Sequence, residues 1–197
     1  MNLLPLYLNL AGKRVLLVGG GSVAHTKLLA LRETGCLLRT VSLAYTDGFL
    51  SGLTDFPAEQ HTRAFTPIDL DGIHLTISAT NDPTVNAFIA QCCREKGVWL
   101  NAVDDPVRCD VQFPSILRRG PFTVAVSTQG AFPGLSRILR EALELLVPAE
   151  MASDFQALAD LRQRMRHEPP DPARRPTILR DILAQLQREL LPSESRS

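Results

Sequence analysis

Cysteine is scarce in this chain, and its four copies, Cys36, Cys92, Cys93 and Cys109, include no CxxC pair. That spacing excludes the common zinc-ribbon and disulfide frameworks and suits buried free thiols in a reducing compartment. The four histidines, His25, His61, His74 and His167, form no HxH or HxxxH pair, so no resident metal site is expected. Neither sign of charge is in excess. The 21 Lys and Arg balance 21 Asp and Glu, which removes any global field favouring nucleic acid or an anionic membrane. No apolar run approaches the roughly eighteen residues of a membrane span. The stretch "MNLLPLYLNLAGKR" is briefly apolar, but it lacks a basic leader segment and Pro5 interrupts it. These absences predict a soluble, cytoplasmic protein with neither nucleic acid nor membrane as partner.

What is present is an alternation of strand-like and helix-like segments across 197 residues, enough to bury a full core. "RVLLVG" predicts a buried strand, and "SVAHTKLLALRETG" a helix stopped by Gly35. "LLRTVSLA" predicts a second strand. A polar, less regular stretch follows, with "HTRAFT" as the third strand. In "IHLTISAT", Ile73, Leu75, Ile77 and Ala79 alternate with His74, Thr76 and Ser78. "NDPTVNAFIAQCCREKG" begins a helix with Asp82 as N-cap and Pro83 at its first position. "VWLNAVD" is another strand. This order implies βαβ units and a parallel sheet with right-handed crossovers.

Beyond Asp104 the pattern changes. "DPVRCDVQFPSILRRGPF" predicts loop, "TVAVST" one more strand, and "QGAFPG" a break. From Leu135, the positions Leu135, Ile138, Leu139, Ala142, Leu143 and Leu146 recur at helical spacing, with Arg137–Glu141 and Arg140–Glu144 as i,i+4 pairs. A further helix over 150–167, the hinge "EPPDPARRP", the helix "TILRDILAQLQREL" and the tail "PSESRS" complete the chain. The fold class is α/β: a Rossmann-like parallel sheet over 1–112, a connecting region over 113–147, and a small carboxy-terminal helical domain with a flexible tail over 148–197.

The glycines decide the chemistry. "VGGGSVA" holds G-x-G-x-x-A as Gly19, Gly21 and Ala24, directly after a strand and at the start of a helix. Gly19 permits the sharp turn and Gly21 lets backbone approach a pyrophosphate. Ala24 keeps helix near strand, and free helix N–H groups face the anion. The bland alternative is a tight turn that binds nothing. One usual feature is missing: the second strand closes on Ser42, Leu43 and Ala44, not on a ribose-binding Asp or Glu, and Asp47 lies too far along. No Arg or Lys cluster stands there for a 2′-phosphate either, so NAD is preferred over NADP.

Two further strand ends, "SATND" and "NAVDD", face the same crevice. Asp104, where the second of these strands stops, can accept a proton as hydride leaves a substrate, although a solvated loop aspartate or a helix cap would look the same. Arg108, Arg118, Arg119, Arg137 and Arg140 supply guanidinium groups suited to a substrate with several carboxylates. For Arg137 and Arg140 the helical acid partners give a structural role instead, and Arg118-Arg119 before Gly120 equally suit a solvated turn.

In order and in spacing, "GGGSVAHTK", "ISATNDPTVN", "LNAVDDP", "CDVQFPSILRRGPFTVAVST" and "RILREALE" resemble the siroheme synthase amino-terminal family, over about Leu3 to Leu146. That family includes precorrin-2 dehydrogenases, some of which are also sirohydrochlorin ferrochelatases. The resemblance implies that NAD+ takes hydride from precorrin-2, a tetrapyrrole with eight carboxylates, to give sirohydrochlorin. Bifunctional members then insert Fe2+, as a substrate, to give siroheme. It places Asp104 on the family's catalytic aspartate and Ser22, Val23, Leu43 and Ala44 on its NAD contacts, beside Gly19, Gly21 and Thr80. Asn101, Arg108, Ser115, Arg118, Ser127 and Thr128 become the candidate substrate contacts. A homodimer joined through 113–147 and the carboxy-terminal helices is implied, with methylation of uroporphyrinogen left to a separate methyltransferase.

Three positions depart from the family pattern: Thr26 replaces an arginine, Val111 an aromatic, and Phe132 the serine of "GxSP". The first is expected on a helix surface; the others bear on substrate fit and iron insertion. Two other classes compete. One is a non-catalytic NAD-sensing Rossmann module whose helical tail engages a partner. The other is a chelatase or tetrapyrrole carrier that has lost dehydrogenation.

Overall fold

The computed structural model describes residues 3–103, 105–167, 180–182 and 184. Asp104 and the last predicted helix, apart from Arg180–Ile182 and Ala184, therefore lie outside the described residues. The chain divides into two compact units, Met1–Phe113 and Pro114–Ser197.

In the first unit five parallel strands stand in the order β3-β2-β1-β4-β5: β1 Arg14–Val18, β2 Leu37–Ser42, β3 Ala58–Thr62, β4 Leu75–Ser78 and β5 Trp99–Ala102. The period-two geometry of β1 divides the core. Val15 and Leu17 enter one apolar cluster with Ala24, Leu28, Phe49 and Ile77, while Leu16 and Val18 enter another with Val41, Ile89 and Leu100. A strand apolar on both faces needs helices on both faces, and this sheet has them. Helix α1, Ser22–Leu31, buries Ala24, Leu28 and Leu31 at i, i+4 and i+7. Helix α3, Pro83–Lys96, buries Ile89, Ala90, Cys92 and Cys93 on the other side. Its ends follow the sequence: Asp82 accepts from the Thr84 and Val85 N–H groups, Pro83 opens the first turn, and Gly97 closes the last at φ +67°.

Three elements differ from expectation. The third strand is Ala58–Thr62, three residues earlier than the expected "HTRAFT", with which it shares only His61 and Thr62. It is an edge strand with little apolar surface, so hydropathy misplaced it. The stretch expected to be irregular contains α2, Asp47–Leu53, a helix weakened by two glycines. Fully buried Phe49 and the Thr46 side-chain cap stabilise it nonetheless. The segment expected to be loop contains β6, Ser115–Arg119, hidden because two of its five residues are arginines and only Leu117 is fully buried.

The second unit pairs β6 with β7, Phe122–Val126, as an antiparallel hairpin turned at Gly120, φ +56°. Helices α4, Pro133–Leu146, and α5, Met151–His167, pack beside it. Leu117 and Met165 are buried, the Phe122 and Phe155 rings lie 5.0 Å apart, and Arg119 Nε donates to the Val147 carbonyl at 2.9 Å. The expected Arg137–Glu141 and Arg140–Glu144 pairs both form on α4. No described helix is long and apolar enough to cross a membrane.

The turn after β3 holds a buried charge. Burial pushes the Asp69 carboxyl up, but the Arg63 guanidinium and the Thr66 N–H outweigh it and hold the group below the usual carboxylate value. A depressed carboxylate contributes stability that is present above its unfolded value, about 3.9, and lost as pH falls through the folded one. Urea unfolding from pH 5 downward should therefore show an acid limb that is shallower in Asp69→Asn. An unchanged limb would remove Asp69 from the acid response.

Candidate functional site: a cleft at the carboxyl ends of the strands

The carboxyl ends of β1, β2 and β4 meet where the strand order reverses, the position at which open α/β sheets bind ligands. A cleft of about 840 Å³ opens there, a size typical of ligand sites.

Its floor is the glycine turn. Gly19 has φ +123°, and a Cβ there would lie 2.8 Å from the Ala79 carbonyl carbon at the end of β4. A Cβ on Gly20 would collide with Ala44 and lie 2.8 Å from the Tyr45 ring. Gly19 donates to the Val41 carbonyl at 2.9 Å, and the Gly20 carbonyl accepts from both Thr46 N–H (2.9 Å) and Thr46 Oγ1 (3.1 Å). The turn is thus clamped between β2 and β4 by contacts that admit no side chain at either position. Gly21 differs: a Cβ there would meet nothing within 4 Å. Its lack of a side chain leaves the cleft open and relieves no contact within the protein.

Gly21 is also the N-cap of α1, with no side-chain cap and no acidic residue in the first turn. An α-helix leaves its first N–H groups without intrahelical partners. Here those groups, with the positive end of the helix dipole, are directed to an anion from outside the helix. The contrast with α2 and α3 is internal: Thr46 and Asp82 cap those helices with their own oxygens.

All seven expected cofactor contacts, Gly19, Gly21, Ser22, Val23, Leu43, Ala44 and Thr80, line this cleft. Ser42 Oγ donates to the Ala44 carbonyl at 2.6 Å and shapes the wall that stands where a ribose-binding acid is missing. Opposite, Asn86 Oδ1 accepts from Ser78 Oγ (2.6 Å) and Thr80 Oγ1 (2.7 Å), while its amide donates to the Thr80 carbonyl (3.0 Å). Asn86 is a positioning residue that the sequence did not single out. Arg63, from the turn after β3, also lines the cleft and was missed, because nothing local marks an arginine 21 residues beyond Ser42, the end of β2, as its neighbour.

At the end of β5, Asn101 is buried and does not line the cleft described above; its amide donates to the Val111 carbonyl at 2.8 Å, and its Oδ1 has no partner among the described residues. Cys109 Sγ accepts from Ala102 N–H at 3.2 Å and lies 3.1 Å from the Ala102 carbonyl and 3.4 Å from that of Asp105. These contacts bracket position 104. Burial pushes the Cys109 thiol up, so it stays a protonated donor. Arg108 pairs with Asp105 at 3.0 Å. Ser115, Arg118, Ser127 and Thr128 belong to the second unit: the first two stand on β6, and the hydroxyls of the others accept from the Gln129 and Phe132 N–H groups. Of the departures, Thr26 is on the α1 surface and bonds the Ser22 carbonyl, Val111 is half-buried against the core, and Phe132 is exposed at the start of α4.

A doubly wound sheet with an uncapped helix behind a glycine turn defines a dinucleotide-binding protein. The chain belongs to the family described as "Putative NAD(P)-binding", whose model matches residues 6–115. It is 40% identical to a siroheme synthase of Azotobacter vinelandii over 166 residues, 84% of this chain and 35% of that protein. A siroheme synthase of Methylococcus capsulatus is 40% identical over 176 residues, 89% of this chain and 37% of that one. The chain thus spans about a third of the length of these curated relatives. A solved structure titled SirC, precorrin-2 dehydrogenase, shares the fold, with TM-score 0.80 at 22% identity over 96% of this chain and 94% of that one.

Gly20 and Gly21 should respond differently to the same methyl group. Gly20→Ala is expected to lower the melting temperature by several degrees through the Ala44 clash. Gly21→Ala should melt within a few degrees of the parent yet lose at least about tenfold in NAD+ affinity, about 1.4 kcal/mol. Calorimetric titration beside a thermal melt tests this, and full affinity in Gly21→Ala would contradict the assignment of that open face.

Proposed function

We propose that this chain dehydrogenates precorrin-2 to sirohydrochlorin with NAD+. One observation carries the reading: the uncapped first turn of α1, behind a glycine whose missing side chain serves only the cleft, in a chain 40% identical to siroheme synthases over 84% or more of its length. The donors present fit a dinucleotide. Backbone N–H groups at Ser22 and Val23 would hold the pyrophosphate, Leu43 and Ala44 the adenosine ribose through main chain, and Thr80 the nicotinamide half. When bound, NAD+ supplies the hydride acceptor. Asp104, following β5, takes the proton that leaves the macrocycle, and the thiol clamp at Cys109 holds the backbone on either side of it. Asn101, Arg108, Ser115, Arg118, Ser127 and Thr128 are the proposed substrate contacts.

Iron insertion into the product is the second proposed activity, with Fe2+ as substrate. A protein that hands iron to a macrocycle gains nothing from a tight cage of its own ligands. The sensor alternative loses support from the siroheme synthase relatives. A homodimer is proposed as well: Leu135, Ile138 and Leu139 form an exposed apolar stripe on α4, with Ile138 60% exposed, and such a stripe is better covered than solvated. The protein is placed in the cytoplasm, where its four buried thiols stay reduced, with methylation assigned to a separate enzyme.

Asp104→Asn should bind NAD+ as the parent does and lose roughly 10²–10⁴-fold in sirohydrochlorin formation, the usual contribution of a general base. Near-normal turnover would take Asp104 out of the reaction. Light scattering should give twice the chain mass for the parent and a lower mass for Ile138→Asp; a monomeric parent would contradict the dimer.

A further inference from the structure

Where a ribose-binding carboxylate is missing, the cleft has an arginine that arrives from another strand. Arg63 follows β3 and lines the wall together with Phe65. Its guanidinium is fixed edge-on by a buried carboxylate: Nη1 donates to Asp69 Oδ2 at 2.8 Å and Nη2 to Oδ1 at 2.6 Å. Asp69 is itself locked by the Thr66 N–H (2.8 Å), and its carbonyl accepts from Arg39 (3.0 Å). A forked pair of this kind fixes the plane of the guanidinium as well as its place. Its charge is largely matched by Asp69, which leaves the flat face as the feature offered to a ligand.

The neighbouring surface is apolar and open. Leu43 is 76% exposed and Phe88 46% exposed, and both line the cleft with Val85. The Phe65 and Phe88 rings sit 6.0 Å apart, edge to face. Solvated apolar groups gathered on one wall of a ligand cleft call for a flat apolar cover. In a sheet of this winding the adenosine half lies over the end of β2, beside β3. An adenine ring has the required shape and π-face, and guanidinium planes stack on such rings.

We propose that Arg63 is the residue that determines affinity for the adenine end of the dinucleotide, its Asp69-clamped guanidinium stacking on the base in the slot formed by Leu43, Phe65 and Phe88. This rests on the dinucleotide reading given above. It assigns the adenosine affinity to a planar face, so a 2′-phosphate is neither required nor specifically rewarded.

The test is calorimetric titration of the full chain with AMP, nicotinamide mononucleotide, NAD+ and NADP+, using the parent, Arg63→Ala and Arg63→Lys. Lysine keeps a positive charge beside Asp69 but has no plane, so it separates stacking from charge if alanine proves unstable. Both variants should weaken AMP and NAD+ by about tenfold and leave nicotinamide mononucleotide unchanged, with NADP+ weakened in step with NAD+. Parent-like AMP affinity in Arg63→Lys would overturn the stacking role. A loss confined to NADP+ and erased by 0.5 M NaCl would overturn it too, making Arg63 a phosphate contact. A parent that binds neither NAD+ nor AMP would instead defeat the dinucleotide reading itself.

Discussion

The architecture of the first unit depends on one unfinished set of hydrogen bonds, the N–H groups in the first turn of α1. Helix ends are ordinarily closed by their own sequence, and α2 and α3 are closed in that way by Thr46 and Asp82. At α1 the chain places three glycines where a cap would stand. Two of them are dictated by the protein's own packing against Ala79, Ala44 and Tyr45; Gly21 is not. A protein that leaves a helix end uncapped and also leaves the space before it empty is built around an anion from outside. The parallel sheet, the reversal of strand order beside β1 and the Thr46 tether to Gly20 all keep that end in place.

Much of this was legible in the residues themselves. The glycine spacing, the alternation in "IHLTISAT" and the Asp82-Pro83 helix start are local signals with local causes, and each element formed where those signals stood. What failed had a common origin. α2 is held by Phe49 buried against α1, β3 is an edge strand with a polar sequence, and β6 ends in two arginines. In each case tertiary packing decided what periodicity could not. The same limit hid Arg63 and Asn86. Arg63 reaches the cleft only through the register of β2 with β3, and Asn86, six residues beyond Thr80, meets Ser78 and Thr80 only once the first turn of α3 folds back over the end of β4.

The missing ribose carboxylate and the clamped arginine are two aspects of one arrangement. A carboxylate at the end of β2 reads a 2′-hydroxyl and repels a 2′-phosphate. With Leu43 there instead, the wall beside β2 offers backbone at Ala44 and flat surfaces at Arg63, Phe65 and Phe88, the basis of the shape-based reading proposed above. Beyond β5 a buried thiol at Cys109 ties Ala102 to Asp105. The cleft wall beside β2 is thus mostly backbone and apolar surface, while the segment after β5 is fastened by a small hydrogen-bond network.

The decisive experiment for the proposed dehydrogenation is to incubate the purified chain anaerobically with precorrin-2 and follow NADH absorbance and the sirohydrochlorin spectrum with and without NAD+. Sirohydrochlorin and NADH should appear together, in equal amounts, only when NAD+ is present. Measurable NAD+ binding with no oxidation above the protein-free rate would contradict it.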